Sequence, residues 1–169
     1  MADPKVITTA EVTLLKTHLA YYPDTGEFVW LRRSSPRAAA GDIAGTEDAR
    51  GYKKVMLRRK AYMLHRLAFV FMGQPVPDEI DHVNTIKGDN RWQNLRPCTR
   101  SQNTGNQNVR GDNQYGVKGL LRNKKSGSWY GQVVIARKTY RTPKLKSRNL
   151  AEYCLRELQR SLFGEFYRN

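Results

Sequence analysis

The sequence is short of cysteine and of long apolar runs. Its two cysteines, Cys98 and Cys154, lie far apart and outside any C-x-x-C pair, which argues against a disulfide framework and a Cys-rich zinc ribbon. The longest uncharged apolar run, residues 67–72, is far shorter than the roughly 20 residues that a membrane span needs. The first nine residues have neither the basic nor the apolar segment of a secretory signal. We therefore expect a soluble, unexported protein of a reducing cytoplasm.

Acidic residues are scarce relative to basic ones. The chain has 30 Lys plus Arg against 15 Asp plus Glu, which gives a formal net charge of +15 and a pI near 10.1. This charge predicts a polyanionic partner, either nucleic acid or an anionic membrane surface. The basic residues fall on strand-like segments with Gly and Pro between them, whereas membrane-surface binding favours an amphipathic helix. Nucleic acid is therefore the expected partner, and no membrane is.

The first part of the chain alternates predicted helices and hairpins. Thr8 and Glu11 form the pattern of a capping box, so a helix is expected after Thr8. Apolar residues at helical spacing between Leu64 and Phe71 predict a second helix that ends at Gly73. Turn residues predict two hairpins, and a polar stretch between them is predicted as loop. The hairpins are expected at 21–30 and 51–64, and the loop at 34–51.

The last part, from Tyr115, has a different texture. Strands are predicted before a helix that is capped by Asn149 with Glu152 and ends at Gly164. Between Lys118 and Arg148 there are ten Lys or Arg and no Asp or Glu, so this part carries the denser positive charge. The strands are expected around 117–122, 129–136 and 139–145.

Residues 79–103 combine one Asp-His pair with many side-chain amides. Asp81 and His82 lie in a predicted strand, a loop rich in Asn and Gly follows, and a second strand is expected near Leu95 before a helix from Arg100. Imidazole can accept a proton at cytoplasmic pH, and carboxylate and amide oxygens suit Mg²⁺ or Mn²⁺. Phosphodiester hydrolysis needs a general base and a metal ion. Because neighbours on a regular strand face opposite sides, we expect the strand to end or bulge at this pair.

The spacing of these residues matches a known pattern. His82 is followed by Asn94 after twelve positions and by Asn103 after nine more, and the flanking motifs read HRLAF and DNRWQNLR. The stretch resembles the HNH endonuclease family, in the H-N-N variant of phage and homing endonucleases. This resemblance implies that His82 is the general base, that Asn94 orients the loop, and that Asp81 and Asn103 bind the metal. It also implies a ββα-metal fold, one Mg²⁺ or Mn²⁺ ion and no zinc, and products with 5′-phosphate and 3′-hydroxyl ends.

Basic residues near this stretch and in the tail are candidate contacts to DNA. Near the site they are Arg91, Arg96 and Arg100, whose guanidinium groups can bind phosphates bidentately. The tail pattern YGVKGLLRNKKSGSWYGQVV, followed by KTYRTPKLK, resembles the APETALA2 type of DNA-binding domain. That resemblance implies a three-stranded sheet packed on one helix. Its candidate DNA contacts are Lys118, Arg122, Trp129, Gln132, Arg137 and Arg141.

The sequence thus predicts an α+β protein of two modules. An HNH endonuclease module is expected over 1–108, with its ββα-metal core at about 76–108, followed by a linker at 109–114 and the DNA-binding domain at 115–169. The predicted activity is metal-dependent cleavage of double-stranded DNA. A non-catalytic, sequence-specific DNA-binding protein is one alternative, and a structural nucleic-acid packaging or ribosome-associated protein, which rests on charge alone, is another. The choices between nicking and double-strand cutting, and between monomer and homodimer, stay open, as does the role of His65.

Overall fold

Small antiparallel sheets and short helices alternate along the chain. The computed structural model describes residues 7–106, 109 and 111–167. Its contacts divide the chain into two compact units, Met1–Cys98 and Thr99–Asn169. The described residues form a mixed α/β structure with small sheets and four α-helices. The division falls before the predicted linker at 109–114, part of which lies outside the described residues, and the module boundaries stay a prediction.

The described residues of the first unit form two α-helices and three sheets. Its sheets have the strand orders β1-β2-β3, β4-β5-β6 and β7-β8, and all neighbouring strands are antiparallel. The elements are α1 (Thr9–His18), β1 (Leu19–Tyr22), β2 (Glu27–Trp30), β3 (Ile43–Ala44), β4 (Thr46–Glu47), β5 (Lys53–Leu57), β6 (Lys60–Met63), α2 (Leu64–Phe71), β7 (Glu79–His82), a 3-10 turn (Trp92–Asn94) and β8 (Leu95–Cys98).

Local sequence signals account for most of these elements. Helix α1 begins with the predicted capping box, in which the Thr8 side chain accepts from the Glu11 amide and Glu11 accepts from the Thr8 amide. The two predicted hairpins are β1–β2 and β5–β6. Residues 34–51 were expected to be loop, and that is wrong for β3 and β4. Each of these two-residue strands is held by pairing to a longer neighbour, which local pattern does not reveal.

Apolar side chains from both helices fill the core of the first unit. Leu15 of α1 and Leu67 of α2 are completely buried, as is Phe28 of β2. The Phe28 ring stacks on Tyr21 with centroids 4.6 Å apart and meets Phe71 edge-on at 5.4 Å, both favourable aromatic geometries. Sheet β1-β2-β3 is thereby fixed against α2, and the hairpin turn at its end is held in place.

The second unit contains the predicted three-stranded sheet with a helix packed on it. Its sheet order is β9-β10-β11, all antiparallel. Gly131 allows close packing against the helix, because a Cβ there would lie 2.7 Å from Leu155. The helix is capped by Ser147 rather than by Asn149, which lies inside the first turn. The elements are α3 (Arg100–Asn106), β9 (Leu120–Arg122), β10 (Trp129–Ile135), β11 (Lys138–Arg141), α4 (Arg148–Phe163) and a 3-10 turn (Gly164–Phe166).

Among the helices that the structure describes, none has both the length and the apolar composition to cross a membrane.

Candidate active site

The Asp-His pair lies at the end of a two-stranded sheet. In the β7–β8 pair Asp81 is opposite Arg96 and His82 is opposite Leu95, and β7 ends at His82. The predicted strand end is therefore confirmed. Asp81 and His82 are 3% and 4% exposed, which is unusual burial for a charged residue without a partner. The structure therefore has to provide neighbours for both side chains.

The partner of Asp81 is the arginine directly across the sheet. Arg96 donates to the same Asp81 carboxylate oxygen from Nε at 2.9 Å and from Nη2 at 2.8 Å. The Arg96 side chain is 18% exposed, so this ion pair is largely shielded from water. Arg96 is a predicted phosphate ligand and Asp81 a predicted metal ligand. In this structure the two groups neutralise each other.

His82 lies in a cluster of rings. Its centroid is 5.5 Å from that of His65 and 5.9 Å from that of Tyr52. Burial lowers the pKa of His82, although the nearby Asn90 side chain and the charge of Asp81 act in the opposite direction. A pKa below the usual 6.5 leaves the imidazole neutral at pH 7, which is the form that can accept a proton.

His65 is the neighbour whose role the sequence left open. It is in the first turn of α2, and its ring meets His82 edge-on at an interplanar angle of 73°. Burial, followed by the nearby His82, lowers the pKa of His65 to about 3. Both imidazoles are therefore neutral at pH 7 and do not repel each other there. The flanking motif HRLAF drew attention to His65 in the sequence but did not indicate its contact with His82.

Asn94 ties together the two ends of the loop between β7 and β8. Its Oδ1 accepts from the Asn84 amide at 2.9 Å, and its Nδ2 donates to the Asp89 carbonyl at 2.8 Å. The Asn94 carbonyl also accepts from the Val83 amide at 2.9 Å. A buried side-chain amide that donates and accepts in this way fixes the path of the loop. This geometry agrees with the loop-orienting role implied by the resemblance.

Asn84, Asp89 and Arg91 of the same loop are joined by hydrogen bonds. Asn84 donates to Asp89 at 2.6 Å and accepts from the Ile86 amide at 2.9 Å, an Asx turn. The Arg91 side chain donates to the same carboxylate from Nε and from Nη2. The hydrogen bonds from the Arg91 side chain, with smaller contributions from the Arg91 amide and Asn84, lower the pKa of Asp89 to about 2. Burial acts in the opposite direction. Arg91, a predicted DNA contact, is thus held on the loop by a carboxylate.

The first hairpin supports this loop, which the sequence did not predict. The Tyr21 hydroxyl donates to the Asn90 carbonyl at 2.7 Å, and the Trp92 amide donates to the Pro23 carbonyl at 2.9 Å. Gly26, at φ 74°, lies so close that a Cβ would overlap the Arg91 backbone nitrogen. Pro23 and Gly26 were recognised as turn residues, but nothing in the local sequence indicates what the turn touches.

Two of the residues predicted near the Asp-His pair lie in the second unit. Asn103 and Arg100 are on α3, whose start is capped by Thr99 and Gln102: the Thr99 amide donates to Gln102 at 2.8 Å, and the Gln102 amide donates to Thr99 at 3.2 Å. These two bonds form a capping box at the start of the helix that was predicted from Arg100. Arg100 is exposed. Metal binding by Asn103 and phosphate binding by Arg100 stay predictions.

The candidate DNA contacts of the second unit lie on different faces of its sheet. Gly131 faces α4, so Gln132 is on the opposite face, where it accepts from Arg141 at 2.9 Å. Trp129 is two residues before Gly131 in the strand and therefore faces the helix. The Arg122 guanidinium lies 5.2 Å from the centre of its ring. Trp129 and Gln132, both predicted DNA contacts, therefore lie on opposite faces of the sheet. Arg137 is exposed in the β10–β11 turn, and burial lowers the pKa of Lys118.

A metal site is not marked by a cluster of strong ligands. Among the residues that the structure describes, no group of three or more His, Cys, Asp or Glu side chains is arranged to hold an ion. The carboxylate adjacent to His82 in the chain is that of Asp81, and Asp89 also lies near enough to act on the imidazole by its charge. One carboxylate fits an oxygen-preferring ion such as Mg²⁺, which takes further ligands from amides, water and phosphate.

Comparison with known proteins identifies one family for part of the chain. A family model described as HNH endonuclease matches residues 62–104, a segment that contains Asp81, His82, Asn94 and Asn103. No curated protein and no solved structure matches the chain. The match supports a nuclease that acts on DNA, and nucleases of this family generally depend on a divalent metal ion. It ends before the second unit's sheet, so the APETALA2 resemblance gains no support from it.

Proposed function

We propose that this protein is a metal-dependent endonuclease of the H-N-N type that hydrolyses phosphodiester bonds in duplex DNA. The observation that carries the proposal is a neutral imidazole, His82, beside a buried carboxylate, Asp81, at a strand end inside the segment that matches HNH endonucleases. Such a pair can supply the two groups that hydrolysis of a phosphodiester requires.

His82 acts in this proposal as the general base. It takes a proton from the water that attacks phosphorus, so no covalent intermediate with the protein is needed, and the products carry 5′-phosphate and 3′-hydroxyl ends. Asn94 keeps the loop in the shape that holds His82 at the strand end, through its bonds to Asn84 and Asp89. His65 and Tyr52 surround the imidazole and limit its rotation.

Asp81 is the proposed metal ligand in the first unit. Asn103 is the second ligand that the resemblance implies. When Mg²⁺ or Mn²⁺ is bound, the chemistry it supplies is neutralisation of negative charge on the phosphate and on the leaving oxygen. Arg96 now holds the Asp81 carboxylate. Its bidentate guanidinium is equally suited to a phosphate oxygen, so we assign it a substrate contact at the scissile strand.

The second unit is proposed to position the enzyme on DNA. Support comes from its high positive charge, from its three-stranded sheet with one helix, and from the open sheet face that carries Gln132 and Arg141. A basic sheet of this kind can enter the major groove. The resemblance of residues 79–103 to the H-N-N endonucleases of phages and homing elements supports a phage-borne or mobile-element enzyme that works in the host cytoplasm.

A plasmid assay tests the proposal. Supercoiled plasmid is incubated with the protein and Mg²⁺ or Mn²⁺, with EDTA as one control. His82→Ala should lower the cleavage rate by about 10²- to 10⁴-fold, as expected for loss of a general base, and added imidazole should restore part of it. Gln93→Ala is the control, because Gln93 is exposed in the 3-10 turn Trp92–Asn94.

The form of the product decides between nicking and double-strand cutting. Open-circular DNA indicates a nickase, and linear DNA indicates paired cuts by one chain or a homodimer. Unchanged cleavage by His82→Ala, or cleavage in EDTA, contradicts the mechanism. DNA binding by the wild-type protein with no cleavage under either metal favours the alternative, a non-catalytic sequence-specific DNA-binding protein.

A further inference from the structure

A groove in the first unit contains none of the predicted site residues. It has a volume of about 790 Å³ and is bordered by the β5–β6 hairpin, by strand β3 and by the segment around residues 33–38. No acidic side chain is found among the described residues that line it. We call it the basic groove and define it by its five cationic residues, Arg33, Arg37, Lys54, Arg58 and Arg59.

The cations of the basic groove are not held by carboxylates in the described part of the chain, although Lys54 is near enough to Asp48 to lower its pKa. Within the described part of the chain, none of its five cations forms an ion pair with a carboxylate. Arg91 and Arg96 of the same unit are, by contrast, both held by aspartates. Several like charges along one concave surface repel each other and together attract a polyanion. The groove therefore has the electrostatic character of a binding surface.

The backbone gives an independent indication. The two-residue turn between β5 and β6 is Arg58–Arg59, and both residues are in the left-handed region, at φ 48° and 64°. Hairpin turns of this kind favour Asn-Gly, which adopt such angles at lower energy. Two arginines are therefore kept where folding alone would select other residues. Strain of this kind is typical of positions whose side chains have a function.

We propose that the basic groove binds the phosphate backbone of duplex DNA outside the bond that is cut. The choice of DNA rests on the proposed function. Guanidinium groups bind phosphate oxygens bidentately. Ile43 and Met56, which are 64% and 53% exposed, line the groove and add apolar surface that suits the sugars between phosphates. A membrane surface fits less well, because the groove is concave and built from strands rather than an amphipathic helix.

Arg58→Asn/Arg59→Gly is the informative variant. It removes both charges and introduces the residues that this turn favours, so the hairpin is retained. A second variant, Arg33→Gln/Arg37→Gln, removes two charges from the other border of the groove. The matched control is Lys16→Gln/Arg50→Gln, which lowers the net charge equally at exposed positions outside the groove. Binding of each full-length protein to a short duplex is measured by fluorescence anisotropy in EDTA, which prevents metal-dependent cleavage.

The readout is the dependence of affinity on salt between about 50 and 200 mM. Each groove variant should reduce the slope of log K against log salt by about 2, the value for two lost phosphate contacts, and the control by less than about 1. Equal changes in groove and control variants, or no change, overturn the inference. Binding of the same proteins to anionic phospholipid vesicles is measured as well. If the groove variants lose vesicle binding but bind DNA as the wild type does, the inference is overturned in favour of a membrane contact.

The same preparations separate this inference from the proposed function. If the wild-type protein cuts plasmid in Mg²⁺ but the groove variants bind DNA with an unchanged salt slope, the inference fails and the nuclease stands. If the groove variants lose slope but the wild-type protein cuts nothing, the DNA-binding groove stands and the nuclease fails.

Discussion

Replacing Asn94 by Ala should open the loop that follows His82. The Asn94 side chain is buried and makes two hydrogen bonds, one from the Asn84 amide and one to the Asp89 carbonyl. Alanine leaves that backbone donor and that acceptor without partners, at about 1–3 kcal/mol each. Because the loop borders solvent, water can replace part of the lost hydrogen bonding. We therefore expect the free energy of loop opening to fall by about 2–3 kcal/mol relative to the wild type.

Hydrogen exchange of the native protein measures this change at a single amide. At about 1.4 kcal/mol per factor of ten, the Asn84 amide should exchange about 30- to 140-fold faster in Asn94→Ala. Gln93→Ala is the matched control, because Gln93 is the exposed neighbour in the same 3-10 turn. Plasmid cleavage should fall in Asn94→Ala and not in Gln93→Ala. An unchanged Asn84 exchange rate, or the same acceleration in both variants, would refute the loop-orienting role.

Two further changes test the support of the first unit. A hydrogen bond from Lys60, before all other causes, lowers the pKa of Glu11 from 4.5 to about 2. Glu11→Gln should therefore unfold more easily than wild type by about 1 kcal/mol at pH 7, a value reduced for partial exposure. The difference should disappear as the pH falls from about 4.5 towards 2, and thermal unfolding across that range would show it. Gly26→Ala should destabilise the unit by about 3 kcal/mol, since it combines a left-handed backbone with a clash at Arg91. Gly41 is also at positive φ but has open space around it. Gly41→Ala should therefore lower the free energy of unfolding, measured by chemical denaturation, distinctly less than Gly26→Ala does, and an equal decrease in both variants would exclude the clash.

Local signals in the sequence predicted elements that are fixed by nearby residues. The Thr8 capping box, the turn residues of the two hairpins and the apolar face of α2 each act within a few positions, so their physics is visible in the sequence. The cap of α4 shows the resolution of such reasoning. Ser147 and Asn149 are equally good capping residues. The N-cap is Ser147, so α4 begins two residues earlier than it would with the predicted cap at Asn149.

The environment of the site could not be predicted in the same way. The spacing of His82, Asn94 and Asn103 singles out the residues but not their neighbours. The ion pair of Asp81 depends on the register of β7 against β8, and the contact from Tyr21 to Asn90 spans 69 positions. Registers and long-range contacts follow from the packing of the whole unit, so the sequence indicated the chemistry of the site but not what holds it in place.

Arginines at strained hairpin turns occur in each of the two units. Arg58 and Arg59 form the β5–β6 turn, and Ala136 and Arg137 form the β10–β11 turn, all four at positive φ. Neither turn has the glycine or asparagine that local energetics favours. A random departure from the preferred residues would place uncharged side chains there as readily as cationic ones. In both units an exposed turn residue is an arginine, in a chain with net charge +15. Local stability and long-range electrostatics therefore conflict at these turns. Under the proposed binding of DNA, the exposed arginines strengthen the attraction to a polyanion at a cost in turn stability.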